Sequence, residues 1–114
     1  MEIKIKRVYE QPETQDGTRI LVDRLWPRGL SKDKAKIDLW VKDLAPSNEL
    51  RKWYGHEPAK WEEFQKKYFA EMDGQTAEVK KLASIIQKGR VTFLYSSKEE
   101  KINNAQALKL YMKK

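Results

Sequence analysis

The chain has 114 residues, no cysteine and one histidine, and its 24 Lys and Arg outnumber its 17 Asp and Glu, for a formal net charge of +7. This length is typical of one domain with a modest core. The lack of cysteine excludes disulfides, thiol catalysis and thiolate metal sites, and a single histidine excludes a His-rich metal cluster. The basic balance favours phosphorylated partners, although most lysines alternate with glutamates as on a solvated surface.

The first residues, MEIKIK, lack the apolar segment of a signal peptide, and no apolar run approaches the length of a membrane span. We therefore expect a cytoplasmic protein with no membrane partner. The absence of cysteine agrees with a reducing compartment.

Four segments of the first half carry structural signals. Residues 3–8 alternate apolar and basic side chains, which predicts a strand near a sheet edge. The segment 11–17 contains Pro and Gly and is typical of a surface loop, whereas 19–23 holds a short apolar run that predicts a buried central strand. Residues 37–44 fit a strand or one face of a helix, and we favour a short strand.

The middle of the chain is predicted to be helical. Ser47 can cap a short helix over 48–53 that ends at Gly55. Pro58 suits the first turn of the next helix, in which aromatic and Met side chains fall on one side, and Gly74 ends that helix.

The last part of the chain predicts a helix, a strand and a helix. The apolar face of 75–88 indicates a helix that ends at Gly89, and the run 91–95 indicates a second buried strand. A last helix is expected from about 100 to 112. Strands joined through helices predict one small α/β domain over 1–114, with a mostly parallel sheet of three to four strands flanked by helices.

The most informative segment is VDRLWPRGLSK, which follows the first buried strand. Arg24 can grip a phosphate or carboxylate, and Asp23 can orient it or act as a general base; the alternative is a structural pair that closes the strand end. Arg28 lies on a loop shaped by Pro and Gly, where an arginine has little packing to do. Trp26 can stack on a base or sugar, or simply belong to the core.

Ligands of open parallel sheets bind beyond the carboxyl ends of the strands, which places the end of the second buried strand at the same edge. Tyr95, Ser96 and Lys98 follow there, and Asn103 is expected in the first turns of the last helix. Hydroxyls and a cation before a helix suit an anion, although a simple helix cap is an equal alternative. The segment lacks the glycines of a P-loop.

Tyr54 and His56 flank the turn after the short central helix. Histidine changes charge near neutral pH, so His56 is a candidate general acid or base. Its nucleophilic partner is not evident, and a packing or capping role is the main alternative. Tyr54 can stack on a ligand.

The motifs LVDRLWPRGLSK, LWVKDLAPSNELRKWYGH and VTFLYSSKEEKINNA, together with VYEQP, resemble the YeaO-like family, a branch of the domain of unknown function 488. The similarity extends over nearly the whole chain and implies a small cytosolic α/β protein, with no reaction assigned. Family members often carry Ala where this chain has Ser96 and Ser97, which argues against either serine as an obligatory nucleophile. The family's characteristic positions correspond to Asp23, Arg24, Trp26, Pro27, Arg28, Gly29, Trp40, Pro46, Ser47, Trp53, Gly55, His56, Tyr95, Lys98 and Asn103.

Together these patterns predict a pocket at the carboxyl edge of the sheet for a small phosphorylated or nucleotide-type anion, and a metal-free nucleotide-processing enzyme is one hypothesis for its role. Nothing in the pattern requires a cofactor. A nucleic-acid-binding module is the first alternative, favoured by the charge but without a recognised motif. A non-catalytic interaction protein is the second.

Overall fold

The computed structural model describes residues 2–113, which form a fully parallel four-stranded sheet and five α-helices. The strands are β1 (Ile3–Arg7), β2 (Thr18–Leu21), β3 (Leu39–Trp40) and β4 (Val91–Tyr95), in the spatial order β1-β4-β2-β3. The two strands with continuous apolar runs are therefore interior, and β1 is an edge strand. The predicted α/β class is confirmed.

Five helices connect and cover the strands: α1 (Lys32–Ala35), α2 (Asn48–Tyr54), α3 (Trp61–Asp73), α4 (Thr76–Lys88) and α5 (Asn104–Met112). The predicted cap of α2 is confirmed, because the Ser47 hydroxyl accepts a hydrogen bond from the Leu50 amide at 3.1 Å. Gly55 then ends α2 in the left-handed conformation, with φ of 53°. Within the described residues, no helix is long and apolar enough to cross a bilayer.

Two boundaries differ from the sequence predictions. The ambiguous segment 37–44 contains both kinds of structure, since the short strand β3 is followed by a 3-10 turn over Lys42–Leu44. The last helix does not begin near Glu100. It begins at Asn104, because the Asn103 side chain accepts a hydrogen bond from the Gln106 amide at 2.9 Å and acts as the N-cap.

The sheet buries its two faces differently. Side chains alternate across a strand, so Ile20 and Phe93 face the large cluster formed with α2 to α5, while Leu21 and Leu94 face a small cluster beside α1. Trp26, on the loop after β2, completes this small cluster. Its ring packs edge-on against the ring of Trp40, with 5.5 Å between the ring centroids.

The α1 side of the sheet also contains a buried ionic network centred on Asp16. Its carboxylate accepts hydrogen bonds from the Lys6 ammonium at 3.1 Å and from the Glu13 amide at 3.0 Å, and it pairs with Arg19. Burial alone would raise the pKa of Asp16, but these hydrogen bonds and the Lys6 charge outweigh it and hold the pKa below its ordinary value. The network thus stabilises a face that has few apolar side chains.

Replacing Asp16 by Asn is expected to lower the free energy of unfolding by about 3–5 kcal/mol at neutral pH, because Lys6 and Arg19 lose their buried counterion. Since the folded-state pKa of Asp16 is depressed, its contribution is present above the unfolded pKa of about 3.9 and is lost as pH falls through the folded value. Urea unfolding of both proteins should show the difference shrinking below about pH 4. A difference that stays constant down to pH 3 would contradict this.

Candidate functional site

A cavity of about 560 Å³ opens beyond the carboxyl ends of β2 and β4. One wall is formed by Tyr9 and the loop after β2, the opposite wall by α2 and its end, and the floor by the segments after β4. We call it the strand-end cavity. Its lining comprises Tyr9, Asp23, Arg24, Leu25, Trp26, Pro27, Arg28, Pro46, Asn48, Arg51, Lys52, Tyr54, His56, Phe64, Ser96, Ser97, Ile102, Asn103 and Asn104.

The Asp23 carboxylate joins three chain segments on the floor of the cavity. Its Oδ2 atom accepts hydrogen bonds from the Ser96 amide at 2.9 Å and the Ser96 hydroxyl at 2.7 Å, and Oδ1 accepts one from the Asn104 side-chain amide at 3.0 Å. The same Asn104 nitrogen also donates to the Val22 carbonyl. The carboxylate thus holds the end of β2 to the end of β4 and the start of α5.

Arg24 does not share the hydrogen-bond partners of Asp23, because it bonds to the segment that leads into α2. Its Nε and Nη2 atoms donate to the carbonyls of Pro46 and Ala45, each at 3.0 Å. These bonds fix the guanidinium beside the segment that leads into α2, and Nη1 takes no part in them. The proposed Asp23–Arg24 couple is therefore two separate structural attachments that leave one face of Arg24 on the cavity wall.

The loop after β2 places two predicted ligand residues on one wall. Trp26 donates from Nε1 to the Leu30 carbonyl at 2.7 Å and packs with the small core cluster, so its environment matches the core alternative. Arg28 is exposed on this wall, and its backbone carbonyl accepts a hydrogen bond from the Tyr9 hydroxyl at 3.0 Å. Gly29 follows with a φ of 76°, a conformation that glycine adopts without strain.

The opposite wall presents the side chains of α2. Tyr54 is only 7% exposed and its hydroxyl is buried with no hydrogen-bond partner among the described residues. Burial, and secondarily the charge of Glu99, raises the pKa of Tyr54, so the phenol stays protonated and can donate. Arg51 and Lys52 are exposed beside it. A buried polar group without a partner is uncommon in native structures.

His56 lies at the end of the same wall in an unusual conformation. Its φ of 58° is in the left-handed region, directly after Gly55. Non-glycine residues pay conformational energy there, and such strain is concentrated at functional sites. The exposed imidazole is tilted relative to the ring of Tyr54, with 6.3 Å between the ring centroids. It also borders a shallow depression together with Ser97, Lys98 and Glu99.

The structure separates the residues predicted after β4. Ser96 and Asn103 line the cavity, but both have structural bonds, to Asp23 and as the α5 cap respectively. Lys98 lies outside it in the shallow depression, and Tyr95 is buried away from the lining. The expectation that Ser96 to Lys98 immediately precede a helix is wrong, since the loop continues to the cap.

Sequence reasoning did not select Tyr9, Leu25, Arg51, Lys52 or Asn104, all of which line the cavity. The cap and stop signals located α2, but the exposed side that turns towards the strand ends depends on how α2 packs on α3. Among the described residues, no group of three His, Asp or Glu side chains is placed to hold a metal ion.

We predict that Asp23→Asn lowers the free energy of unfolding by about 1–3 kcal/mol, because the new amide nitrogen cannot accept the bonds that Ser96 or Asn104 donate. The matched control Asp43→Asn, at an exposed position, should change it by less than about 0.5 kcal/mol. Chemical denaturation measures both. Equal stabilities of the two variants would rule out Asp23 as the structural link.

A second pair of variants tests the strain at His56. His56→Gly should be more stable than His56→Ala by about 1 kcal/mol, because both lose the ring but alanine keeps a Cβ in the left-handed conformation. Thermal and urea unfolding compare the two. Identical unfolding curves would show that the conformation costs nothing.

Comparison with known proteins agrees with the motifs found in the sequence. A family model described as the "Inactive DUF488-N3 subclade" matches residues 2–114. The uncharacterised protein YeaO of Escherichia coli is 45% identical over 108 residues, which cover 95% of this chain and 94% of that protein. The uncharacterised protein Rv3073c of Mycobacterium tuberculosis is 45% identical over 82 residues, 70% of each chain. No solved structure matches. The chain therefore belongs to the YeaO-like DUF488 family.

Proposed function

We propose that this protein binds a small phosphorylated anion in the strand-end cavity and does not transform it. The observation that carries the proposal is the charge of the lining, where four basic side chains face one carboxylate. That carboxylate, Asp23, is turned to its own hydrogen-bond donors. The cavity therefore offers cationic groups without a competing free anion.

The basic groups differ in mobility, which suits a phosphate group. Arg24 is fixed by two carbonyls and presents a preorganised guanidinium edge. Arg28 and Lys52 are exposed and can adjust to the ligand, and Arg51 shares only an exposed contact with Asn48 at 3.2 Å. Arginine forks and a lysine ammonium together are a common way to hold phosphate oxygens.

The arrangement of the candidate catalytic groups supports binding without reaction. Three hydrogen bonds from the protein already occupy the Asp23 carboxylate, which has about four acceptor sites. His56 has an aromatic neighbour, whereas a catalytic histidine needs a nucleophile and an orienting group within hydrogen-bond reach. The word "Inactive" in the description of the matched family agrees with this proposal.

A thermal-shift screen with inorganic phosphate, sugar phosphates and nucleotides tests the proposal. Wild type should be stabilised by phosphorylated compounds and not by their dephosphorylated forms, because binding to the folded state raises its apparent stability. Arg28→Ala and Arg51→Ala should remove most of the shift. Lys80→Ala removes the same charge from an exposed site on α4 and serves as the control. Equal shifts in Arg28→Ala, Arg51→Ala and wild type would overturn the proposal.

A further inference from the structure

The apolar part of the strand-end cavity identifies the class of ligand further. Three large hydrophobic residues are exposed on the described surface, and two of them, Tyr9 at 44% and Leu25 at 60%, line this cavity. The third, Leu110 at 52%, lies on α5 outside the lining. Exposed apolar side chains gathered at a cavity mark a binding surface more often than scattered ones do.

Tyr9 is exposed and yet held in place. Its hydroxyl donates to the Arg28 carbonyl at 3.0 Å, and the Arg7 guanidinium lies over its ring, 5.2 Å from the centroid. Arg7 itself is fixed by the carbonyls of Ser96 and Ser97. Little side-chain entropy remains for a ligand to remove, so the ring is a preorganised surface for stacking.

The cavity is larger than a phosphate group requires. Its volume of about 560 Å³ is within the range of small-molecule sites. The Tyr9 wall is apolar beside Arg28, while the α2 wall carries Arg51 and Lys52. Three asparagines, Asn48, Asn103 and Asn104, add amide groups to the lining. A ligand that fills this space has a planar part for the Tyr9 wall and an anionic part for the α2 wall.

We propose that the ligand is a free mononucleotide, with its base stacked on Tyr9 beside Leu25 and its phosphate bound by Arg51, Lys52 and the exposed Arg28. This inference rests on the proposed function and names the ligand class of the same cavity. A nucleic-acid strand carries the same bases and phosphates, but binding a strand requires a broad basic surface, and the helices do not present one. Among the exposed lysines of α3 and α4, Lys67 pairs with Glu63 and Lys81 with Glu78, which reduces the basic character of this surface.

Calorimetric titration of the full chain with adenosine monophosphate, ribose 5-phosphate and adenosine separates the two parts of the ligand. The monophosphate should bind about fivefold to 100-fold more tightly than ribose 5-phosphate, because that is the contribution of stacking a base on an aromatic side chain. Tyr9→Ala should reduce the affinity for adenosine monophosphate towards that for ribose 5-phosphate. It should leave the affinity for ribose 5-phosphate within about twofold of wild type.

Matched variants show whether a loss of affinity comes from the substituted side chain or from a general loss of structure. Tyr9→Phe keeps the ring and should retain at least about a third of the wild-type affinity for the nucleotide, since only the anchor to Arg28 is lost. Leu25→Ala should weaken nucleotide binding, whereas Leu110→Ala removes another exposed leucine outside the cavity and should not.

The outcomes distinguish this inference from the proposed function. Equal affinities for ribose 5-phosphate and adenosine monophosphate, or equal losses for both in Tyr9→Ala, would overturn the mononucleotide and leave an anion site. No binding of any phosphorylated compound would overturn both proposals. If a 5′-phosphorylated oligonucleotide binds more than about tenfold more tightly than the mononucleotide, the ligand of this site is a nucleic-acid strand and not a free mononucleotide.

Discussion

The hydrogen bonds accepted by the Asp23 carboxylate hold the rest of the site in place. β2 and β4 are neighbours in the sheet, but their chains diverge at their carboxyl ends, one into the loop of Arg28 and the other towards α5. Asp23 joins these diverging segments through Ser96 and Asn104. The backbone carbonyl of Asp23 in addition accepts from Trp40 Nε1 at 2.6 Å, which ties in β3. The cavity floor exists because one residue bonds to all of these segments.

The buried charges around Asp16 and the exposed charges at the strand ends have different roles in this protein. On the α1 side of the sheet, Asp16 is buried and its charge is satisfied by Lys6, Arg19 and a backbone amide. At the strand ends, Arg28, Arg51 and Lys52 face a cavity whose carboxylate is engaged elsewhere. Removing one partner of a buried ion network leaves an unpaired charge, which destabilises the fold. Exposed like charges repel one another, and a bound anion relieves that repulsion.

The fold was predictable because its signals are local. Apolar runs identified β2 and β4, the spacing from Phe64 to Met72 identified α3, and Ser47 with Gly55 bounded α2. The start of α5 was placed too early because residues near Glu100 have good helical propensity, whereas the helix starts at a local cap in which the Asn103 side chain accepts a hydrogen bond from the Gln106 amide. The rule on strand ends pointed to Asp23, Arg24 and Arg28, and all three border the cavity. On the α2 wall the sequence pointed to Tyr54 and His56 but not to Arg51 or Lys52, because the exposed side of α2 that turns towards the strand ends depends on how the helix packs.

The central claim is that the strand-end cavity is where a phosphorylated ligand binds. The most direct measurement is a titration of ¹⁵N-labelled protein with adenosine monophosphate, followed by two-dimensional NMR of the backbone amides. The account predicts saturable shifts concentrated at Tyr9, in the loop from Asp23 to Gly29, in α2 up to His56, and in the segment from Ser96 to Asn104. Saturable shifts concentrated on α4 or the outer face of α3, or no shifts at all, would contradict it.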